Sequence, residues 1–188
     1  MATDDLTTFA KCQTIFKPAT EDESMVEALI TSASKWANNF TSRKLKARDL
    51  TEYYDGDNTS TLFLDNYPVN SITTVHQDSA RAFGTSTLVS STDYVYYRDG
   101  RRNLIGVGVG WSDGIQTIKI VYNAGYETVE EDLENAILML VDYWYKSFDT
   151  HRFGVSSVGI ADQRIDYESD IPQQIKNIVQ PYVKQVIF

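Results

Sequence analysis

A strand-like run that ends in a glycine turn and passes directly into a long apolar helix, Ile118 to Phe148, constrains this chain more than any other stretch. Ile118, Ile120, Val121 and Tyr122 are β-branched or aromatic, the side chains that fit a pleated surface. In Asn123-Ala124-Gly125-Tyr126, Gly125 supplies a backbone free to turn. Thr128 and Glu131 have the spacing of a capping box, and Glu130, Glu131 and Asp132 put negative charge at the positive end of the helix dipole. Leu133, Ala136, Ile137, Leu140, Val141, Trp144 and Phe148 then recur at i, i+3, i+4, i+7, which defines a buried helical face. At about 100° per residue, Met139 and Tyr143 widen that apolar arc to roughly 200°, about twice the stripe a surface helix needs. Two covers are open for the surplus: the chain's own remaining segments, or a neighbouring subunit.

The rest of the chain is read around this anchor. Residues 1–19 show little periodicity and read as an arm or irregular lead-in. Thr20 and Glu23 form a second candidate capping box before a helix that buries Met25, Val26, Leu29, Ile30, Ala33, Trp36, Ala37 and Phe40. Glu27, Ser34, Lys35 and Asn38 are expected on its opposite side, and its end near Leu45. From about residue 50 to 122 the pattern changes to short β-type runs: Leu50–Tyr54, Thr61–Leu64, Ser71–His76, Tyr94–Arg98 and Gln116–Tyr122. Turn signals at Asp55-Gly56-Asp57-Asn58, Asp99-Gly100 and Asp113-Gly114 separate them. Residues 149–170 carry no clear period and read as a long loop. A last helix begins at Pro172 and kinks or stops near Gln180, because the ring of Pro181 conflicts with the carbonyl of Asn177. Val183 to Phe188 then form an apolar tail. The fold class is α+β: a small bundle of three or four helices with an antiparallel β region, about 50–122, inserted between the first long helix and the central one. The organisation expected is an arm (1–19), one domain (20–183) and a tail (184–188).

Composition excludes several classes of function. With a net charge of −9, the chain is a poor candidate for a sequence-neutral grip on nucleic acid, which needs clustered Lys and Arg. Two basic patches, Arg43/Lys44/Lys46/Arg48 and Arg98/Arg101/Arg102, read as solvated surface. One cysteine, Cys12, precludes an intrachain disulfide and a cysteine-rich metal site. Met1-Ala2-Thr3-Asp4-Asp5 lacks the basic segment and apolar core of a secretory signal, and no run of 18 apolar residues occurs. The expectation is a protein made in a reducing cytoplasm and not inserted in a membrane.

No motif supplies enzyme chemistry. Gly106-Val107-Gly108-Val109-Gly110 lacks the Gly-Lys-Ser/Thr ending of a phosphate loop and has no helical pattern behind it, so it reads as a turn or twisted hairpin. His76 and His151 have no carboxylate partner at metal-ligand spacing. Asp55 and Asp57 lack the spacing of a calcium loop. Cys12 would act as a nucleophile only with an activating histidine. The expectation is therefore no catalytic residue, no cofactor and no metal.

The order of segments resembles a known family. A helix ending in Trp36 to Phe40 and Thr41-Ser42-Arg43-Lys44-Leu45 precedes Leu62-Phe63-Leu64 and Tyr67-Pro68-Val69 with Ser71-Ile72-Thr73-Thr74-Val75. Val121-Tyr122-Asn123-Ala124-Gly125-Tyr126, an acidic helix start and Ala136 to Tyr145 follow. The set is similar to the head-tail connector (adaptor) proteins of tailed bacteriophages, over about residues 20–183. Members have a helix ending in a Thr-Gly-Arg-like turn, a Pro-Val strand lead-in, and a Tyr-x-Ala-Gly-Tyr turn before a hydrophobic helix. Two departures stand out: Ser42 replaces the usual glycine, and Val129 stands where proline is common.

The resemblance implies a structural virion protein of the neck, not an enzyme. It would form a ring of about twelve copies beneath the portal protein, joining the DNA-filled capsid to the tail. Its partners would be itself, the portal, the next neck or tail protein, and genomic DNA passing through the channel without sequence-specific binding. A closed ring gives each subunit two different contact patches, a destination for Met139 and Tyr143. The tail, Val183 with Val186, Ile187 and Phe188, would dock onto the portal. The acidic balance suits a conduit that does not retain DNA, and equally suits simple solubility. The alternatives are a head-closure or tail-completion protein of the neck, then a binding module unrelated to phages or a small hydrolase.

Overall fold

The computed structural model describes residues 4–97, 103–106, 110–149, 157–160, 163–166 and 171–184. Within it the chain forms two compact units, Met1–Arg43 with Val129–Phe188, and Lys44–Thr128.

The first unit is helical. It holds α1 (Phe9–Ile15), α2 (Glu23–Thr41), α3 (Glu131–Asp149) and α4 (Gln173–Val179), with a hairpin of β7 (Ser157–Ile160) and β8 (Gln163–Asp166). α2 packs on α3, α3 on α4, and α1 on both α2 and α3. Val26, Leu29, Ile30, Ala33 and Ala37 of α2 face Leu133, Ala136, Ile137, Leu140 and Val141 of α3 as the buried stripe of an amphipathic bundle, with Ile175 and Val179 of α4 closing it. α4 follows Pro172 and gives way at Gln180 to a 3-10 turn, Gln180–Tyr182, so Pro181 ends the α-helix as its ring geometry requires.

The second unit is antiparallel β. β1 (Arg48–Gly56), β6 (Gly114–Ala124) and β3 (Val69–Gln77) form one sheet in the order β1-β6-β3. β2 (Thr61–Phe63), β5 (Asn103–Gly106) and β4 (Tyr94–Tyr96) form another in the order β2-β5-β4. Ile118, Ile120, Tyr122 and Ala124 alternate inward along β6 and share a core with Leu62, Leu64, Val69, Val75, Tyr94, Leu104 and Trp111. Two-residue alternation is what a sheet with one wet face imposes.

Several expectations are corrected. The lead-in at 1–19 contains α1, capped by the Thr8 side chain on the Lys11 amide. Its seven residues bury only Cys12, too few for a periodic signal. The loop expected at 149–170 contains the β7–β8 hairpin, while Gly154 and His151 lie outside the described residues, as do Arg98, Arg101 and Arg102 of the second basic patch. α2 stops at Thr41 and not near Leu45. Neither capping box forms: α2 is preceded by a 3-10 turn, Thr20–Asp22, with Asp22 at its N-cap, and α3 starts at Glu131, two residues too late for Thr128 to cap it. Ser34 and Asn38 are buried and not on an exposed side, Ser34 beneath the N-terminal segment, whose Leu6 amide donates to Ser34 Oγ (2.9 Å). β5 carries no strand pattern in the sequence, because Asn103 and Gly106 are poor strand formers; its amide at Gly106 donates to the Ser60 carbonyl (2.8 Å).

Candidate assembly surfaces

The apolar arc of α3 is as broad as its sequence requires, but it lies on a different flank. Counting about 100° per residue, the buried positions run from Ala136 through Leu140, Leu133 and Val141 to Leu138, roughly 200° in all. The second flank, Leu138 and Tyr145, is covered by the N-terminal segment of the same chain. Tyr145 donates its hydroxyl to Asp22 Oδ2 (2.8 Å), receives the Ala19 amide (3.3 Å), and packs against Phe16 with ring centroids 6.0 Å apart. Further toward the start of α3, Glu134 accepts the Thr7 hydroxyl (3.1 Å) and the Lys11 ammonium (2.5 Å). Cys12 is sealed beneath, and burial pushes its thiol up to about 11. At neutral pH such a thiol is protonated.

Met139 and Tyr143 fall on the flank that the N-terminal segment leaves uncovered. Met139 is 37% exposed and Tyr143 is half-buried. Asn135 and the Asp142–Lys146 ion pair (2.7 Å) lie beside Met139 along the helix. Met139 is thus a partly exposed apolar side chain between this polar strip and Tyr143, one turn further along.

The C-terminal segment is tied down on the helical unit. The Lys184 amide donates to the Thr41 carbonyl (2.8 Å), Arg43 Nη1 donates to the Tyr182 carbonyl (2.9 Å), and the Tyr182 hydroxyl donates to Asp132. Val183 is half-buried; Val186, Ile187 and Phe188 lie outside the described residues.

In the β unit, the segments that carry the family resemblance meet. The Tyr126 amide donates to the Leu45 carbonyl (2.7 Å), the Ala47 amide to the Tyr126 carbonyl (3.0 Å), and the Gly125 amide to the Pro68 carbonyl (2.9 Å). The Tyr67–Pro68 bond is cis. Beneath this junction one carboxylate organises a buried polar network. Glu52 accepts both the Tyr54 and Tyr122 hydroxyls on Oε2 and the Asn66 amide group on Oε1 (2.8 Å). The two hydroxyls in turn accept the backbone amides of Asp65 (2.9 Å) and Asn66 (3.2 Å). Burial raises both phenols, helped at Tyr54 by the neighbouring Tyr122 and at Tyr122 by its bond to Glu52. The network pins the β2–β3 connection to β1 and β6. It is a structural lock with every member engaged.

Several residues of the candidate chemical motifs have local partners among the described residues. Asp57 caps Thr59 through its amide (3.0 Å) and hydroxyl (2.6 Å), which holds its carboxyl below the usual range, while Asp55 accepts the Gln116 amide (2.7 Å). In the glycine run, Gly110 backs onto Asn58 so closely that a Cβ would stand 2.7 Å from its carbonyl oxygen. His76 meets Thr87 Oγ1 (3.3 Å). Among the described residues no helix is long and apolar enough to cross a membrane.

A match to the head completion protein family spans residues 4–185. The chain belongs to the head completion protein family. Its fold recurs in solved gene transfer agent particles. In the neck of an empty particle computed with C6 symmetry, the similar chain has a TM-score of 0.66 and 15% identity, covering 100% of this chain and 98% of that one. In the virion of a native particle the values are 0.64 and 14%, covering 97% and 92%. In the neck of a native particle computed with C12 symmetry they are 0.61 and 14%, covering 100% and 98%. Comparison with curated proteins finds no match.

In this head completion protein, the apolar tail and the broad α3 face are legible in the sequence as patterns. The N-terminal cover of α3 and the Glu52 network are not, because they join residues up to 127 positions apart through single polar atoms.

Proposed function

We propose that this head completion protein is a structural subunit of the virion neck, assembled as a ring beneath the portal to join the filled capsid to the tail. The observation that carries the reading is the family match over residues 4–185, on a fold shared along its whole length with subunits of gene transfer agent necks. Those necks were computed with C6 and C12 symmetry, and a twelve-fold ring is the reading taken for this chain. Closed rings need two unlike patches on each subunit. Met139 and Tyr143, on the flank of α3 away from the N-terminal segment, form part of one, and the segment beginning at Val183 docks onto the portal. The net charge of −9 suits a conduit through which DNA slides without being retained.

The test is a phage in which the gene is interrupted. Lysates should contain packaged heads separate from tails, and purified protein added back should restore joined particles. Complete virions in the interrupted phage would contradict the reading.

A further inference from the structure

The end of α2 is a Schellman cap without its glycine. The Arg43 amide donates to the Asn38 carbonyl (3.1 Å) and the Ser42 amide to that of Asn39 (3.2 Å), while Ser42 adopts the left-handed conformation at φ 54°. This geometry leaves the Thr41 carbonyl outside the helix's own ladder and turns Arg43 back under the bundle, where it is 4% exposed. Both groups are used by the far end of the chain: the Thr41 carbonyl by the Lys184 amide, the Arg43 guanidinium by the Tyr182 carbonyl. Asp132, in the first turn of α3, takes the Tyr182 hydroxyl. Two bonds from the turn that ends α2 and one from the start of α3 converge on residues 182–184.

The segment they hold is not held by burial. α4 is anchored by Ile175 and Val179, both sealed in the core, whereas Tyr182, Val183 and Lys184 are each only half-buried. Apolar burial is non-directional, while hydrogen bonds to fixed backbone groups set position and heading. We infer that the Thr41–Ser42–Arg43 turn is a clasp for the C-terminal segment, with Arg43 as its positioning residue, and that it sets where the chain departs toward a docking partner. The inference rests on the tail-docking reading above for its use, but not for its geometry. It also explains the Thr-Ser-Arg sequence physically, since a left-handed residue at 42 frees one carbonyl and aims one guanidinium at the same strand of chain. Lysine could not replace the arginine fully, since a single ammonium lacks the planar fork.

The experiment uses the full chain and three variants: Arg43→Met, Arg43→Lys and Tyr182→Phe. Amide exchange is followed at Lys184 and, as an internal control, at Ile175 and Val179; binding to purified portal protein is measured in parallel. Arg43→Met should lower protection at Lys184 by about tenfold or more and leave α4 unchanged, with Arg43→Lys intermediate, on the scale expected for loss of a charge-assisted hydrogen bond. Portal affinity should fall in the same order. If Arg43→Met does not fold, Arg43→Lys must still lower protection at Lys184 selectively, while Tyr182→Phe removes only the bond to Asp132 and should have the smaller effect. Unchanged protection at Lys184 in a folded Arg43 variant overturns the clasp. Removing residues 185–188 separates the two readings: portal binding that survives the deletion defeats tail docking alone, while the exchange result still decides the clasp.

Discussion

Gly125 and Lys46 lie so close that a Cβ on Gly125 would stand 2.6 Å from the Lys46 carbonyl carbon. Gly125 is also at φ +110°, a conformation L side chains rarely adopt. Gly125→Ala should therefore destabilise the protein by about 2 kcal/mol or more, through backbone that must separate and not through a side chain that can rotate away. Urea unfolding of the two proteins checks this; an unchanged midpoint would show that the junction of Leu45–Ala47 with Tyr126 is not under steric control.

Ser42 offers the opposite case. It takes a left-handed conformation at a position open to solvent, where only the missing Cβ of glycine would relieve the strain. Ser42→Gly should raise stability by about 0.5–1 kcal/mol, the relief of the left-handed strain less the added freedom of the unfolded chain. A rise in thermal midpoint is the expected reading.

Tyr54 and Tyr122 make stability depend on alkaline pH. Their phenols are raised in the folded protein, chiefly by burial, above the unfolded value of about 10. A raised folded value means that the stabilisation is complete below pH 10. It is lost as pH climbs beyond that, because the unfolded chain releases these protons first. Urea midpoints should hold steady from pH 8 to about 9.5 and then fall. Tyr54→Phe should make the fall shallower, and an equal slope in the variant would contradict the assignment.

Met139 and Tyr143 test the ring contact. Replacing both by polar residues, Met139→Gln and Tyr143→Gln, should leave the monomer folded, since neither is sealed in the core. Burying a methionine side chain is worth about 1.5–3 kcal/mol, so ring assembly should need roughly tenfold more protein. Assembly at the same concentration would remove these residues from the interface.

The legible parts of this fold are those where one physical rule acts locally. Ile118, Ile120 and Tyr122 alternate because one face of β6 is dry, and Leu133 to Val141 repeat at helical spacing because α3 is buried along one side. What the sequence conceals depends on partners remote in the chain. Leu138 and Met139 are adjacent and similarly apolar, yet Leu138 is buried, on the flank where Phe16 and Ala19 meet Tyr145, and Met139 is partly exposed on the other. Glu52 in a strand looks like a solvent-facing charge until Tyr54, Tyr122 and Asn66 are brought to it. Ser42 is in sequence an ordinary polar residue, and in the structure it takes the left-handed conformation that glycine adopts most readily.

The central claim is tested most directly by electron microscopy of the purified protein mixed with its portal. The account predicts portal particles capped by an added ring whose class averages carry twelve-fold symmetry, whether or not the free protein is a monomer. Portals that remain bare at saturating protein would contradict it.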